Sequence, residues 1–546
     1  MTIQGRSIFA FKQHRVTIGL LRHQHSPFSS LPGASHPSII MGDHNPAAPL
    51  TSPSNTQDSP SPSPSKKLIN LLRGWPAPSM LPAPLLRAAA DHILSDPSIF
   101  VPALQYGPDP GYQPLREALG SWLGGTFGVD SNAERICITG GASQSVACVL
   151  QSFTDPEYTR AVWAVEPCYY LACPIFEDGG FGGGGTGGKG GEDGKGVKEA
   201  RLRGVKEDEG GICLRELERG LREFGEGEGE GGEDDGNGEG GYKSPGPLRK
   251  LYRHIIYVVA TCANPSGKTL SLERREGLVR LARKYNALVV SDDVYDFLQW
   301  PVGTSQQQQQ GGEGSGKLPG LLPRLSDIDI ALGRSRFDPP GQHFGHAISN
   351  GSFSKLVGPG IRTGWVHGTE DFAMGLAQTG STRSGGAPSQ FCAAMVTQLL
   401  TSGALDEHLA TNTRPALQAR HARIVAAVKR ELGGFGVEVM ESSERGKSVF
   451  GGYFVWLTLP EGGPDAGEVA ERAKREENLV VAPGKLFEVG GEGAKFGRNI
   501  RLCFSWEDVK DIEEGVARLG RVLRSIGDGK KENRAVAIDG DTGAFK

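Results

Sequence analysis

Residues 254–295 read HIIYVVATCANPSGKTLSLERREGLVRLARKYNALVVSDDVY. HIIYVVA (254–260) is a continuous apolar, β-prone run, the signature of a strand covered on both faces. It ends at Asn264-Pro265-Ser266-Gly267, residues that form turns. Ser271 can cap a helix, with Glu273 in its first turn. That helix places Leu278, Leu281, Ala282 and Tyr285 along one side. ALVVS (287–291) is the next buried strand and delivers Asp292, with Tyr295 three residues on. The same rhythm recurs upstream: RICIT (135–139) precedes a helix opened by GGASQ, and RAVWAVE (160–166) ends at Pro167. Strand and helix in alternation predict an α/β fold with a mostly parallel, doubly wound sheet. Ligands of such sheets sit at the carboxyl ends of strands, where the chemically distinctive residues of this chain fall.

The 546 residues exceed one small packed unit, and 80 of them are glycine, gathered in a few stretches. Residues 179–197, 225–247 and 303–317 are low-complexity insertions that cannot bury apolar surface, the last containing the run Gln306 to Gln310. Between the first two, GGICLRELERGLREF predicts a short helix with Leu214, Leu217 and Leu221 on one face. The net charge of −4 and the lack of a basic patch argue against a nucleic-acid partner. No apolar run reaches the ~18 residues of a membrane-spanning helix. The eight cysteines show no CxxC pair or His/Cys cluster with metal-ligand spacing, so no metal is expected and the thiols read as reduced. Residues 1–66 predict a disordered extension. Its first 41 residues carry Arg6, Lys12, Arg15 and Arg22 and no acid, which resembles a mitochondrial transit peptide or an upstream extension before Met41. A cytoplasmic or mitochondrial-matrix location, not a secreted one, is expected.

A second stretch, ISNGSFSKLVGPGIRTGW (348–365), carries the chemistry. The amine of Lys355 can form a Schiff base, while Ser352, Ser354 and Arg362 can hold a dianion. Together they suit an aldehyde cofactor that carries a phosphate. Gly140-Gly141-Ala142-Ser143 follows a strand and opens a helix, offering close backbone approach and free N–H groups to a phosphate. Such a turn can also be purely structural. Tyr169 or Tyr170, at a strand end, can stack on a pyridine ring or join the core. A carboxylate at the end of a buried strand, Asp292 or its neighbour Asp293, is costly unless paired, and a protonated pyridine nitrogen would pair it. Arg498 and Arg501 lie in RNIRLCFS (498–505), where an arginine can clamp a carboxylate bidentately. Arg73, beside Gly74, reads either as a contact to a substrate side chain or as a solvated arginine.

These segments, in this order, resemble the fold type I pyridoxal-phosphate (PLP) enzymes of aminotransferase class I/II. The overall pattern is closest to the 2-aminoadipate, kynurenine and aromatic aminotransferases, over roughly residues 68–526 outside the insertions. The resemblance implies PLP as cofactor and Lys355 as its Schiff-base lysine. It implies a phosphate cradle at Gly141, Ala142 and Ser143, completed by Ser352, Ser354 and Arg362. Tyr169 would stack on the ring, Asn264 would bond its hydroxyl oxygen with Tyr295 donating to the same oxygen, and Asp292 would pair the ring nitrogen. Arg501 would hold the substrate α-carboxylate, with Gly74 and Asn264 beside it. The front motifs Gly74-Trp75-Pro76-x-Pro78 and Tyr106-Gly107-Pro108-Asp109-Pro110-Gly111-Tyr112 also match. Tyr106 would reach the phosphate of a neighbouring subunit in a homodimer, or serve as a turn aromatic. Gly451 to Trp456 and Pro483-Gly484-x-x-Phe487 match packing and substrate-wall elements.

The implied organisation is a large PLP-binding domain (106–404) and a smaller α+β domain built from 67–105 and 405–526, with a disordered tail at 527–546. The implied activity is transfer of an amino group from an L-amino acid (2-aminoadipate, aromatic or kynurenine-like) to a 2-oxo acid such as 2-oxoglutarate, by a ping-pong Schiff-base mechanism. A PLP-dependent β-lyase or decarboxylase, or a non-catalytic aminotransferase-like regulator, is the alternative. No clear second arginine for a side-chain carboxylate stands out.

Overall fold

The 254–295 stretch folds as strand, turn, helix and strand in a computed structural model that describes residues 66–182, 201–225, 242–302, 321–383, 388–440, 449–490 and 495–528. The expected N-terminal extension, most of the three insertions and nearly all of the tail lie outside the described residues. The first insertion begins later than 179–197 implies, because Phe181 is fully buried in the core.

Eight strands form the main sheet: β1 (Ile136–Thr139), β2 (Ala161–Glu166), β3 (Leu202–Asp208), β4 (Gly211–Ile212), β5 (His254–Val258), β6 (Ala287–Asp292), β7 (Ala347–Ser352) and β8 (Gly364–His367). Their order is β1-β8-β7-β6-β5-β2-β3-β4. The pairs β7/β6, β6/β5, β5/β2 and β2/β3 are parallel, and β8 runs antiparallel to both its neighbours. Strand residues alternate between two apolar layers, which explains why the strands read as unbroken hydrophobic runs. Val162, Ala164, Ile255, Tyr257, Leu288 and Val290 pack with Val149 and Phe153 of helix α1 (Ala142–Phe153). Trp163, Val165, Ile256, Val258 and Val289 pack on the other face. They meet Leu217 and Leu221 of α2 (Leu214–Gly225) and Leu278 and Ala282 of α3 (Leu272–Lys284). Each such side chain taken from water contributes about 1.5–3 kcal/mol before conformational entropy is subtracted.

Local details follow the sequence closely. Ser271 caps α3, its hydroxyl accepting from Arg274 N–H at 3.2 Å. Strand β5 stops at Val258, short of the expected 260. The carbonyl of Ala260 leaves the ladder to accept from Leu270 N–H (2.9 Å) and from Arg275 Nη2 (3.0 Å). Arg135 falls in a 3-10 turn, so β1 starts one residue later than expected.

A four-stranded antiparallel sheet is built from Glu438–Val439, Phe454–Thr458, Asn499–Cys503 and Ala482–Pro483. Val455, Leu457, Ile500 and Leu502 share a core with the helices Arg414–Leu432 and Val509–Gly527. The N-terminal segment returns here: Ile69–Asn70 pairs parallel with Leu479–Val480, and the carbonyl of Leu71 accepts from Cys503 N–H. This return carries residues 70–75 to the carboxyl edge of the main sheet, where the cavity described next opens. Among the described residues no helix is long and apolar enough to cross a membrane, and no cluster of His, Cys, Asp and Glu could hold a metal.

Candidate active site

A cavity of about 290 Å³ opens at the carboxyl ends of the parallel strands. Ala142, Ser143, Tyr169, Asn264, Asp292, Tyr295, Ser352, Ser354, Lys355, Arg362, Arg501 and Gly74 all line it, although they span more than 400 residues of sequence. Gly141 lies just behind the wall. Tyr106 does not line the cavity of its own chain and is 84% exposed.

Register brings the central groups together. Strand β6 ends at Asp292, paired with Asn350 of β7, and β7 continues through Ser352 into the turn that carries Lys355. Asp292 is buried. Its Oδ2 accepts from the Tyr257 hydroxyl at 2.7 Å, while its Oδ1 has no hydrogen-bond partner among the described residues. Burial pushes its pKa up to about 6, against the Tyr257 hydrogen bond and the Lys355 charge. Its rival Asp293 is turned away from the cavity and accepts from the Ser291 hydroxyl at 2.5 Å. Lys355 Nζ donates to the carbonyl of Gly74 at 2.7 Å and sits 5.1 Å from the Tyr453 ring centre. Burial lowers its pKa to about 8, so a substantial fraction of the amine is neutral at mildly alkaline pH.

At one end, Gly141 precedes α1 with φ 108° and no side chain caps the helix, so the first N–H groups face the cavity wall. The φ of 108° at Gly141 is one that L side chains rarely adopt, which favours glycine there, and a Cβ would also stand 2.6 Å from Arg362 Nη2. Arg362 donates to the carbonyls of Gly140 (2.6 Å) and Pro359 (3.0 Å) and to Ser354 Oγ (3.4 Å); Ser352 Oγ donates to Ser354 Oγ at 3.0 Å.

At the other end, buried Arg501 donates to Asn264 Oδ1 at 2.8 Å and to the Leu72 carbonyl at 2.6 Å. Its guanidinium carbon lies 4.0 Å from the Phe454 ring centre and 4.9 Å from that of Phe487, and its buried Nε has no partner among the described residues. The neighbouring candidate, Arg498, is neither in the cavity nor free in solvent: it donates to the Leu459 carbonyl at 2.7 and 2.9 Å. Tyr169 and Tyr170 both line the cavity, edge to face with ring centres 6.1 Å apart, so the wall includes the pair. Burial, then the Asp292 charge, raises the Tyr169 hydroxyl to about 12.

Three supporting residues were not singled out for these roles by the sequence. Tyr257 sits in the apolar run 254–260 and reads as core, yet its hydroxyl holds Asp292. Arg275, in the charged run ERREG, reads as solvated. It is instead 1% exposed and donates to the Leu270 and Ala260 carbonyls and to Thr261 Oγ1, bracing the turn that presents Asn264. Tyr453 donates to the Lys355 carbonyl at 3.2 Å.

The family aminotransferase class I and II matches residues 243–519. The Saccharomyces cerevisiae protein YER152C is 30% identical over 479 residues, covering 84% of this chain and 97% of its own. The chain belongs to this family. The aminotransferase is also 25% identical to the 2-aminoadipate transaminase of Thermus thermophilus over 84% of this chain and 91% of that protein. Its fold matches the Pyrococcus horikoshii kynurenine aminotransferase, solved in complex with PMP, with a TM-score of 0.61 and 24% identity over 85% of this chain and 92% of that one. It is a PLP-dependent transaminase acting on amino acids and 2-oxo acids. The site suits that cofactor on its own terms: a carboxylate oxygen of Asp292 without a partner among the described residues and the Lys355 amine with its lowered pKa line one cavity, beside Gly141, whose positive φ is one that L side chains rarely adopt.

Proposed function

We propose that the aminotransferase moves the amino group of a 2-aminoadipate-, kynurenine- or aromatic-type L-amino acid to 2-oxoglutarate, with both half-reactions in this cavity. The observation that supports it most is the placing of Lys355 between an anion-binding end (Gly141, Ala142, Ser143, Ser352, Ser354, Arg362) and a carboxylate-binding end (Arg501, Asn264). The likeness to the 2-aminoadipate transaminase and to the fold of the kynurenine aminotransferase named above supports this substrate type.

When bound, PLP supplies an aldehyde that condenses with amines and a ring that accepts the electron pair left at Cα. The anion-binding end would hold its phosphate, Tyr169 would face the ring, and Asn264 and Tyr295 would bond its oxygen. Asp292 Oδ1 would hold the proton of the ring nitrogen, and Tyr257 fixes that carboxylate in place. Arg501 binds the substrate α-carboxylate, and the Phe454 and Phe487 rings keep its plane fixed. Lys355 Nζ, released to act as a base, takes the proton from substrate Cα and returns it on the other side of the transfer. Exposed Tyr106 would complete a neighbouring subunit's site in a homodimer, and residues 106–404, which contain the main sheet, would form the cofactor-binding domain beside a smaller one from 67–105 and 405–526.

The test is absorbance of the purified protein with each candidate donor and 2-oxoglutarate, alongside Lys355→Ala. The expected result is a visible cofactor band that one donor changes, with glutamate formed, and neither in Lys355→Ala. Cofactor bound in wild type but no glutamate from any donor would overturn the substrate reading.

A further inference from the structure

We propose that Arg73 is a specificity-determining residue that receives the distal carboxylate of dicarboxylic substrates, the amino and oxo diacids. This rests on the reading of the cavity as the transamination site with Arg501 at the α-carboxylate. Four cationic side chains line the cavity: Arg73, Lys355, Arg362 and Arg501. Three have protein partners and a use. Lys355 is held by Gly74, Arg362 by Gly140 and Pro359, and Arg501 by Asn264 and Leu72. Among the described residues no carboxylate or carbonyl pairs with the Arg73 guanidinium.

Arg73 is nonetheless built in. Its N–H donates to Asn70 Oδ1 at 3.0 Å, and its neighbours Leu72 and Gly74 give their carbonyls to Arg501 and Lys355. Its guanidinium lies 4.6 Å from the Trp75 ring centre and 5.1 Å from that of Trp506. Those two rings meet edge to face at 5.6 Å. Aromatic contacts hold a guanidinium by its face and leave its N–H edges open, the geometry that a carboxylate accepts bidentately. A phosphate and an α-carboxylate would satisfy Arg362 and Arg501. The charge left over is Arg73, so the cavity has room in its electrostatics for a third anionic group. A ping-pong enzyme that pairs a diacid such as 2-oxoglutarate with an aromatic monocarboxylic substrate must fit both in turn, and a cation on a tryptophan pair serves both: charge for the diacid, ring surface for an apolar side chain.

The experiment compares the holoenzyme with Arg73→Gln and Arg73→Lys. KM and kcat are measured with 2-oxoglutarate and with phenylpyruvate as acceptors, and binding of glutarate and of valerate is measured by calorimetry without turnover. Losing a charge-assisted hydrogen bond predicts that Arg73→Gln raises KM for 2-oxoglutarate and weakens glutarate by about 10- to 100-fold. Phenylpyruvate KM, valerate binding and kcat change by less than about 3-fold on the same reasoning, and Arg73→Lys falls between. If both acceptors suffer alike, or 2-oxoglutarate and glutarate are unaffected, the role of Arg73 is overturned while the functional reading stands. A wild type that accepts phenylpyruvate but not 2-oxoglutarate, and does not prefer glutarate to valerate, overturns both. Should Arg73→Gln lose its cofactor band, Arg73→Lys decides the matter by the same ratio of acceptors.

Discussion

Replacing Asp292 by Asn should stabilise the cofactor-free protein while disabling the loaded one. In the cofactor-free chain one carboxylate oxygen is buried without a partner, and burial raises the pKa from 3.8 to about 6. That rise corresponds to about 3 kcal/mol by which the fold disfavours the ionised form. Because the folded pKa is the higher one, the stability this group contributes is full below about pH 4 and lost as pH rises through about 6. The carboxamide removes the charge and still accepts from Tyr257, but leaves an N–H without an acceptor, which offsets about 1–2 kcal/mol. Denaturant unfolding of both cofactor-free proteins should therefore show Asp292→Asn more stable by about 1–2 kcal/mol at pH 8 and less stable by about 1 kcal/mol at pH 4, where the charge penalty has gone and the carboxamide's offset remains. Loaded with PLP, the variant should lose at least about 100-fold in kcat, since no charge remains to meet the ring nitrogen. Equal or lower stability of the variant at pH 8 would refute the claim that Asp292 is held unpaired for a cationic ligand.

Other substitutions test the remaining parts. Tyr257→Phe removes the hydrogen bond that lowers the Asp292 pKa, so in the cofactor-free protein the pH range over which stability falls should move up by about one pH unit; an unmoved range would show that Tyr257 only fills space. Gly141→Ala places a Cβ against Arg362 at a positive φ, and should weaken PLP binding in absorbance titrations by about 10-fold or more. Arg501→Lys keeps the charge but loses the fork, and should cut kcat/KM for every amino donor by about 100-fold while leaving the cofactor band intact.

The fold was legible because both faces of the main sheet are covered, so its strands appear as apolar runs and its crossovers as capped amphipathic helices. The Ser271 cap and the Asp292 strand end were readable for that reason. The candidate site residues were legible where chemistry singles out an unusual residue: Asp292 at the end of a buried strand, Lys355 in the turn that follows another, and Arg501 inside a short apolar strand. Residues that act through others were not. Tyr257 and Arg275 carry the composition of their surroundings, and only the tertiary structure shows the hydrogen bonds that give them work. The Tyr169/Tyr170 choice stayed open in sequence because the turn exposes both rings to the cavity. Arg73 read as ambiguous because its partner Trp506 lies more than 400 residues away.

The account stands on Lys355 as the residue that carries the cofactor. Borohydride reduction of the purified enzyme, followed by peptide mass spectrometry, fixes the cofactor to whichever amine holds it. The predicted result is a pyridoxyl group on Lys355 and on no other lysine. A label on a different lysine, or none on a protein that retains its visible band, would contradict it.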